Sequence, residues 1–254
     1  MVVPAWVWAA ARSRGVSHER AGTRIQDAAV SFAAHAHQFF VAIVCDGAGS
    51  ASFGGQGASL VARTFSKALR QYLAQYATFP SVDLVQEWTD RARDRIGAVS
   101  QRRGLAPRDF AATLLLVMST GNSSMLVHVG DGCAVLKEQA GGRWIAPIWP
   151  FHGEYASTTA FVTDDVGAQL RTAVYEAPIS ALAVFSDGVE RLALDFQARE
   201  PFQPFFESMI EPLMTIDGGG RSAVLSEELR KFLNGAAVNA RTDDDKTLIL
   251  AVRK

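Results

Sequence analysis

The chain has little cysteine: Cys45 and Cys133 are its only two. They have neither metal-ligand spacing nor the density of a disulfide framework, so a reducing compartment, and a cytoplasmic location, is expected. No apolar run approaches the ~18–20 residues of a membrane span. The apolar N-terminus, Met1–Ala11, has no basic residues before its apolar part, and it reads as a first strand rather than a signal peptide. An excess of one charge is also missing. Lys and Arg number 25 against 26 Asp and Glu, for a net charge of −1, which argues against a broad nucleic-acid footprint. The five histidines show no zinc spacing. There is no Gly-x-Ser-x-Gly elbow for a serine hydrolase.

Other partial signals fail on the residues they lack. Cys45 and Cys133 are followed, six residues on, by Ala51 and Gln139, not by the Arg of a cysteine-phosphatase loop. Gly47-Ala48-Gly49 has Ser52 where a dinucleotide fingerprint needs its third glycine, and no acid occurs between Asp46 and Asp83 to hold a ribose. Neither Asp46-Gly47-Ala48 nor Asp187-Gly188-Val189 supplies the second Asp of an aspartyl-phosphate enzyme.

What is present is apolar bulk and order. The chain is 254 residues long and 48% hydrophobic, ample for a full core, and it shows no repeat or composition break. It is read as one domain over 1–254. Strand-like runs fall near 5–11, 28–34, 38–45, 111–118, 124–129, 133–137, 143–148, 158–163, 169–176, 181–186 and 246–253. Helical periodicity marks 59–76, 82–101, 204–214 and 222–233. Strands first, then a helix pair, then a long run of strands, a second helix pair and a last strand favour an α+β layered fold over alternating units. The expected architecture is a four-layer α-β-β-α sandwich: two mainly antiparallel sheets flanked by helix pairs.

Acids recur at the ends of the apolar runs. Val41-Ala42-Ile43-Val44-Cys45 ends in Asp46-Gly47, and Ala181-Leu182-Ala183-Val184-Phe185-Ser186 ends in Asp187-Gly188. Asp27 precedes one run, Asp131 sits in Val129-Gly130-Asp131-Gly132, and Asp244 precedes Lys246–Val252. A carboxylate at the mouth of a buried strand is costly unless it is paired or bound to a cation. Several such acids in one site ask for a hard cation with oxygen ligands. The glycines after Asp46 and Asp187 are expected to turn the chain and to leave room for an ion or ligand.

These stretches resemble the metal-dependent serine/threonine protein phosphatases of the type 2C family, in a bacterial form. The matching segments are Ser17-His18…Gly22…Gln26-Asp27-Ala28, Val44-Cys45-Asp46-Gly47-Ala48-Gly49-Ser50-Ala51, Ala111-Ala112-Thr113-Leu114, Val127-His128-Val129-Gly130-Asp131-Gly132, Gly153-Glu154-Tyr155-Ala156, Phe185-Ser186-Asp187-Gly188-Val189 and Asp244-Asp245-Lys246-Thr247-Leu248. They run in the family's order along nearly the whole chain. The resemblance implies hydrolysis of phosphoserine and phosphothreonine in proteins by a water activated at a binuclear Mn²⁺ or Mg²⁺ centre. By position, Asp46 bridges the metals, the Gly47 carbonyl contacts one, and Asp187 and Asp244 hold the other. Asp27 orients metal-bound water, and Asp131 helps bind a third, weaker ion. The implied partners are a phosphoprotein substrate and a cognate serine/threonine kinase or its targets, with no nucleic acid and no membrane.

The chain departs from the family pattern at several positions. Ala48 stands where many members carry a His proposed as general acid, and His18 is the substitute candidate. Gly22 stands where an Arg usually clamps substrate phosphate, so Arg24 and Arg20, which flank it, become the candidates for that contact. Gln26 replaces an acid, and Asp245 an Asn. A catalytically weak domain that binds phosphoprotein or regulates a partner is the alternative. The aromatic stretch Trp144, Trp149, Phe151, Tyr155 and Phe161 reads as sheet packing, or else as a flap beside the site.

Overall fold

The structure, a computed structural model, describes residues 5–150, 159–164 and 168–254. Its strands are β1 (Trp6–Ser13), β2 (Ala28–Ala34), β3 (Phe39–Cys45), β4 (Leu114–Ser119), β5 (Ser124–Val129), β6 (Cys133–Glu138), β7 (Trp144–Ile145), β8 (Arg171–Tyr175), β9 (Ile179–Phe185), β10 (Leu194–Asp195), β11 (Glu200–Pro201), β12 (Gly220–Arg221) and β13 (Lys246–Arg253). Its helices are α1 (Val16–Arg20), α2 (Gly54–Leu73), α3 (Val82–Arg103), α4 (Asp187–Ala193), α5 (Gln203–Met214), α6 (Ala223–Leu233) and α7 (Ala236–Asn239). One sheet has the order β12-β1-β13-β9-β6-β7, the other β2-β3-β4-β5-β8. Every pairing in them is antiparallel except β1 with β12.

The layering follows from side-chain alternation. On β3, Phe39, Val41, Ile43 and Cys45 join a core with Val61, Phe65 and Leu69 of α2 and Val85, Trp88 and Ile96 of α3. The intervening Phe40, Ala42 and Val44 face the other sheet, meeting Trp6, Trp8, Val184 and Ile249. A strand covered on both faces has no polar side, which is why this run is apolar throughout. The outer face of the second sheet packs Val7, Phe185 and Leu250 against Phe206 and Leu213 of α5 and Leu229 and Leu233 of α6. The four-layer α-β-β-α sandwich expected from the sequence is the fold observed.

Three expectations need correction. The described part of 158–163 is not a strand: Phe161 N donates to Asp164 Oδ2 at 2.8 Å and closes a turn, and Val162 is held by its N–H to Ala112 O. The chain after Asp187 does not turn away but enters α4 directly. The glycines after Asp46 and Asp187 do not leave space. A Cβ on Gly47 would collide with the backbone of Gly54, and one on Gly188 with the carbonyl of Asp245, so both glycines permit close approach of protein backbone. The Gly153–Ala156 motif, Phe151 and Tyr155 lie outside the described residues. Trp144 is buried against Phe206, and Trp149 meets Phe196 edge-on.

Candidate metal centre

Strand register gathers the acids at one end of the sandwich. Ala28 pairs with Cys45, which sets Asp27 beside Asp46. Phe185 pairs with Cys133 on one side and Leu248 on the other, so Asp187 follows a strand flanked by the approaches to Asp131 and Asp244. Asp131 sits where the chain crosses from β5 in one sheet to β6 in the other. The crossing uses Gly130 (φ +104) and Gly132 (φ +76), positive values that favour glycine.

Carboxylate oxygens of Asp46, Asp131 and Asp187 lie within 4.8 Å of one another. Burial raises the Asp46 and Asp187 carboxyls well above the ordinary carboxylate range; the charges of Asp27, Asp187 and Asp131 raise Asp46 further, and those of Asp131, Asp244 and Asp27 raise Asp187 against a lowering hydrogen bond with Asp46. Asp244 is half-buried and also raised by burial, with the Asp245 N–H and His18 pulling the other way. Asp187 Oδ1 and Asp27 Oδ1 are buried without a hydrogen-bond donor among the described residues. Convergent carboxylates with an orphaned oxygen aimed among them fit a hard divalent cation, whose charge would relieve the mutual repulsion.

Asp27 is held from the far side. Ser186 Oγ donates to Asp27 Oδ2 at 2.8 Å and Thr247 Oγ1 to the same oxygen at 2.5 Å. Thr247 N in turn donates to Ser186 Oγ at 3.0 Å. Burial still dominates, raising the Asp27 carboxyl to about 6 against the lowering effect of those hydroxyls. Arg12 donates to the Asp27 carbonyl at 2.6 Å. Asp46 is fixed through its backbone: its N–H reaches Thr113 Oγ1 at 2.9 Å and its carbonyl accepts from Thr113 N at 2.8 Å. Gly47 bridges to Ala112. Beneath Asp131, Arg171 donates to His128 Nδ1 at 3.2 Å, so His128 Nε2 carries the proton toward the Asp131 carbonyl at 3.1 Å.

A cleft of about 800 Å³ opens over this floor, lined by Asp131, Asp187, Asp244, Arg191, Phe196 and Arg241 among others. The remaining expected residues are placed elsewhere. His18 lies on α1 with Nδ1 3.0 Å from Asp245 Oδ2 and does not line the cleft. Arg20 and Arg24 are exposed and do not line it either. Asp245, which the sequence marked only as a departure, is a buried anchor that accepts from Gly15 N at 2.6 Å and Gln26 N at 2.5 Å. Its role depends on partners more than two hundred residues away in the chain, beyond the reach of local pattern.

A family model for protein phosphatase 2C matches residues 14–234. The chain belongs to the protein phosphatase 2C family. It is 34% identical to serine/threonine-protein phosphatase 3 of Escherichia coli over 251 residues, 97% of this chain and 98% of that one. The manganese-bound catalytic domain of the phosphatase PstP shares the fold with a TM-score of 0.65 at 17% identity, each chain covered over 99%. PppA of Pseudomonas aeruginosa gives a TM-score of 0.65 at 17% identity, over 99% of this chain and 100% of that one. The acid-bearing strand ends thus occur in a type 2C phosphatase framework.

Proposed function

We propose that this chain hydrolyses phosphoserine and phosphothreonine esters in proteins and depends on Mn²⁺ or Mg²⁺. The observation that carries the reading is the convergence of Asp46 with the cleft residues Asp131 and Asp187, with a buried Asp187 oxygen that no donor satisfies among the described residues. Asp46, Asp187, Asp244 and the Gly47 carbonyl are the ligands we assign to two ions, with Asp131 serving a third. When bound, such ions lower the pKa of water and neutralise charge on phosphoryl oxygens.

The protein's own part is positioning. Asp27, locked by Ser186 and Thr247, faces the cluster as a fixed acceptor able to orient water. Thr113 clamps Asp46 through its N–H and its carbonyl, so the carboxylate meets its partners without reorganising. For Arg24 and Arg20 we keep a role in meeting substrate phosphate as it approaches across the α1 surface. His18 acts, in our reading, on Asp245 and Asp244 rather than as the acid for the leaving alkoxide.

The family match over 14–234 and the pairing of β1 with β13 near the two ends support reading 1–254 as a single phosphatase domain. No helix among the described residues is long and apolar enough to cross a membrane, and a cytoplasmic location with a serine/threonine kinase or its targets as partners completes the proposal.

The deciding assay is phosphate release from a phosphothreonine peptide with and without Mn²⁺, beside Asp187→Asn. Mn²⁺-dependent release that falls at least about a hundredfold in the variant is expected. Mn²⁺ binding with no release would favour the phosphoprotein-binding alternative, for which Ala48 is the specific observation.

A further inference from the structure

We infer that Arg191 and Arg241 form an anion-reading rim that selects phosphoprotein segments with an acidic side chain about two residues from the phosphorylated one. The inference rests on the phosphatase reading and names its substrate class. Both arginines line the cleft, both are exposed, and neither guanidinium has a hydrogen-bond or ion-pair partner among the described residues.

Their positions are set by the candidate ligands. Asp187 opens α4, and Arg191 lies one helical turn on, on the same face; Gly188 and Glu190 of that turn also line the cleft. Arg241, also in the lining, stands three residues before Asp244, and its N–H is tied to Val238 O at 2.9 Å. Four residues of helix rise about 6 Å. An extended peptide covers about 3.3–3.6 Å per residue, so a phosphoryl group over the acidic floor brings a side chain about two residues away to the rim.

Charge balance along the lining favours an acidic partner. Asp131, Asp187 and Asp244 are the floor acids assigned to metal. Glu190 is buried and accepts from Gly132 N at 3.0 Å. Among the described residues of the lining, Asp243 is then the one exposed acid, against two arginines. Phe196, 44% exposed, adds an apolar surface for the same segment.

The test uses two labelled phosphothreonine peptides that differ only in Asp or Lys two residues to either side of the phosphorylated one. Their affinity for the intact protein with Mn²⁺ is read by fluorescence anisotropy, and their KM and kcat by phosphate release. Wild type is expected to prefer the acidic peptide about five- to tenfold, in Kd and KM rather than kcat, and less so at high salt. Arg191→Glu with Arg241→Glu is expected to reverse the preference, and Arg191→Lys with Arg241→Lys to keep it. Equal affinity of wild type for both peptides, or an unchanged preference in the charge-reversed variant, overturns the rim. The anisotropy arm reads it even without turnover. Failure of wild type to release phosphate from p-nitrophenyl phosphate with Mn²⁺ would instead count against the phosphatase reading.

Discussion

His18 Nδ1 lies 3.0 Å from Asp245 Oδ2, and the same buried carboxyl receives the N–H groups of Gly15 and Gln26. This ties the segments on either side of α1 to the loop before β13. Asp245→Ala would leave two backbone donors without their acceptor, at a cost of about 1–3 kcal/mol each. We expect a melting transition lowered by several degrees, with Asp245→Asn milder. Because His18 packs on this anchor, His18→Ala should lower stability and kcat together and modestly. A hundredfold loss of kcat at unchanged stability would return His18 to the role of catalytic acid.

Thr247→Val keeps the shape of a fully buried side chain and removes one of two hydroxyls on Asp27 Oδ2. Second-sphere partners of metal sites affect affinity about 10–100-fold. We expect a loss of Mn²⁺ affinity in that range by isothermal titration. Thr247→Ser, which retains the hydroxyl, should recover most of it.

The strands were legible where both faces are covered, because β3 and β9 then become unbroken apolar runs that end at an acid. The four long helices were legible through their apolar period. The short helices α1, α4 and α7, of four to seven residues, are too short to show one, and the Asp187-Gly188 pair that opens α4 imitates a turn. Asp46, Asp131 and Asp187 could be named from local sequence since each ends or joins strands. The rim arginines could not: Arg191 and Arg241 share the lining of a cleft that exists only once α4 and the loop after α7 are in place.

Gly188→Ala tests the close approach of α4 to the last strand. Its Cβ would meet the Asp245 carbonyl, a backbone atom that cannot swing aside. Overpacking of this kind costs about 1–3 kcal/mol or more. We expect a lower melting temperature and reduced activity, since Asp187 precedes the displaced residue. Gly49→Ala is the control, because a Cβ there meets nothing within 4 Å.

Cys45 and Cys133 are fully buried, and burial pushes both thiols up from their ordinary range. The native protein should therefore react with no equivalents of a thiol-specific dye over minutes, and with two after unfolding. Rapid labelling of the native protein would show that the core around β3 or β6 opens easily.

Removing metal should change how stability depends on pH. In the chelated protein Asp27 titrates near 6, and burial and neighbouring carboxylates also raise Asp46, Asp187 and Asp244. Between the ordinary carboxylate value of 3.8 and those raised values the folded state binds more protons than the unfolded one, so stability falls as pH rises through the window. His128, lowered to about 4 by burial, works in the opposite sense between 4 and 6.5, one group against four. The chelated protein should thus melt higher near pH 5.5 than near pH 8. Divalent metal competes with protons for the same oxygens and binds better as pH rises. Mn²⁺ at a hundred times its pH 8 dissociation constant adds about 2.7 kcal/mol at pH 8, roughly 5–10 °C for a chain of this size, and the same concentration should add less at pH 5.5. A Mn²⁺-induced shift of equal size at both pH values would mean that metal and protons do not share these carboxylates.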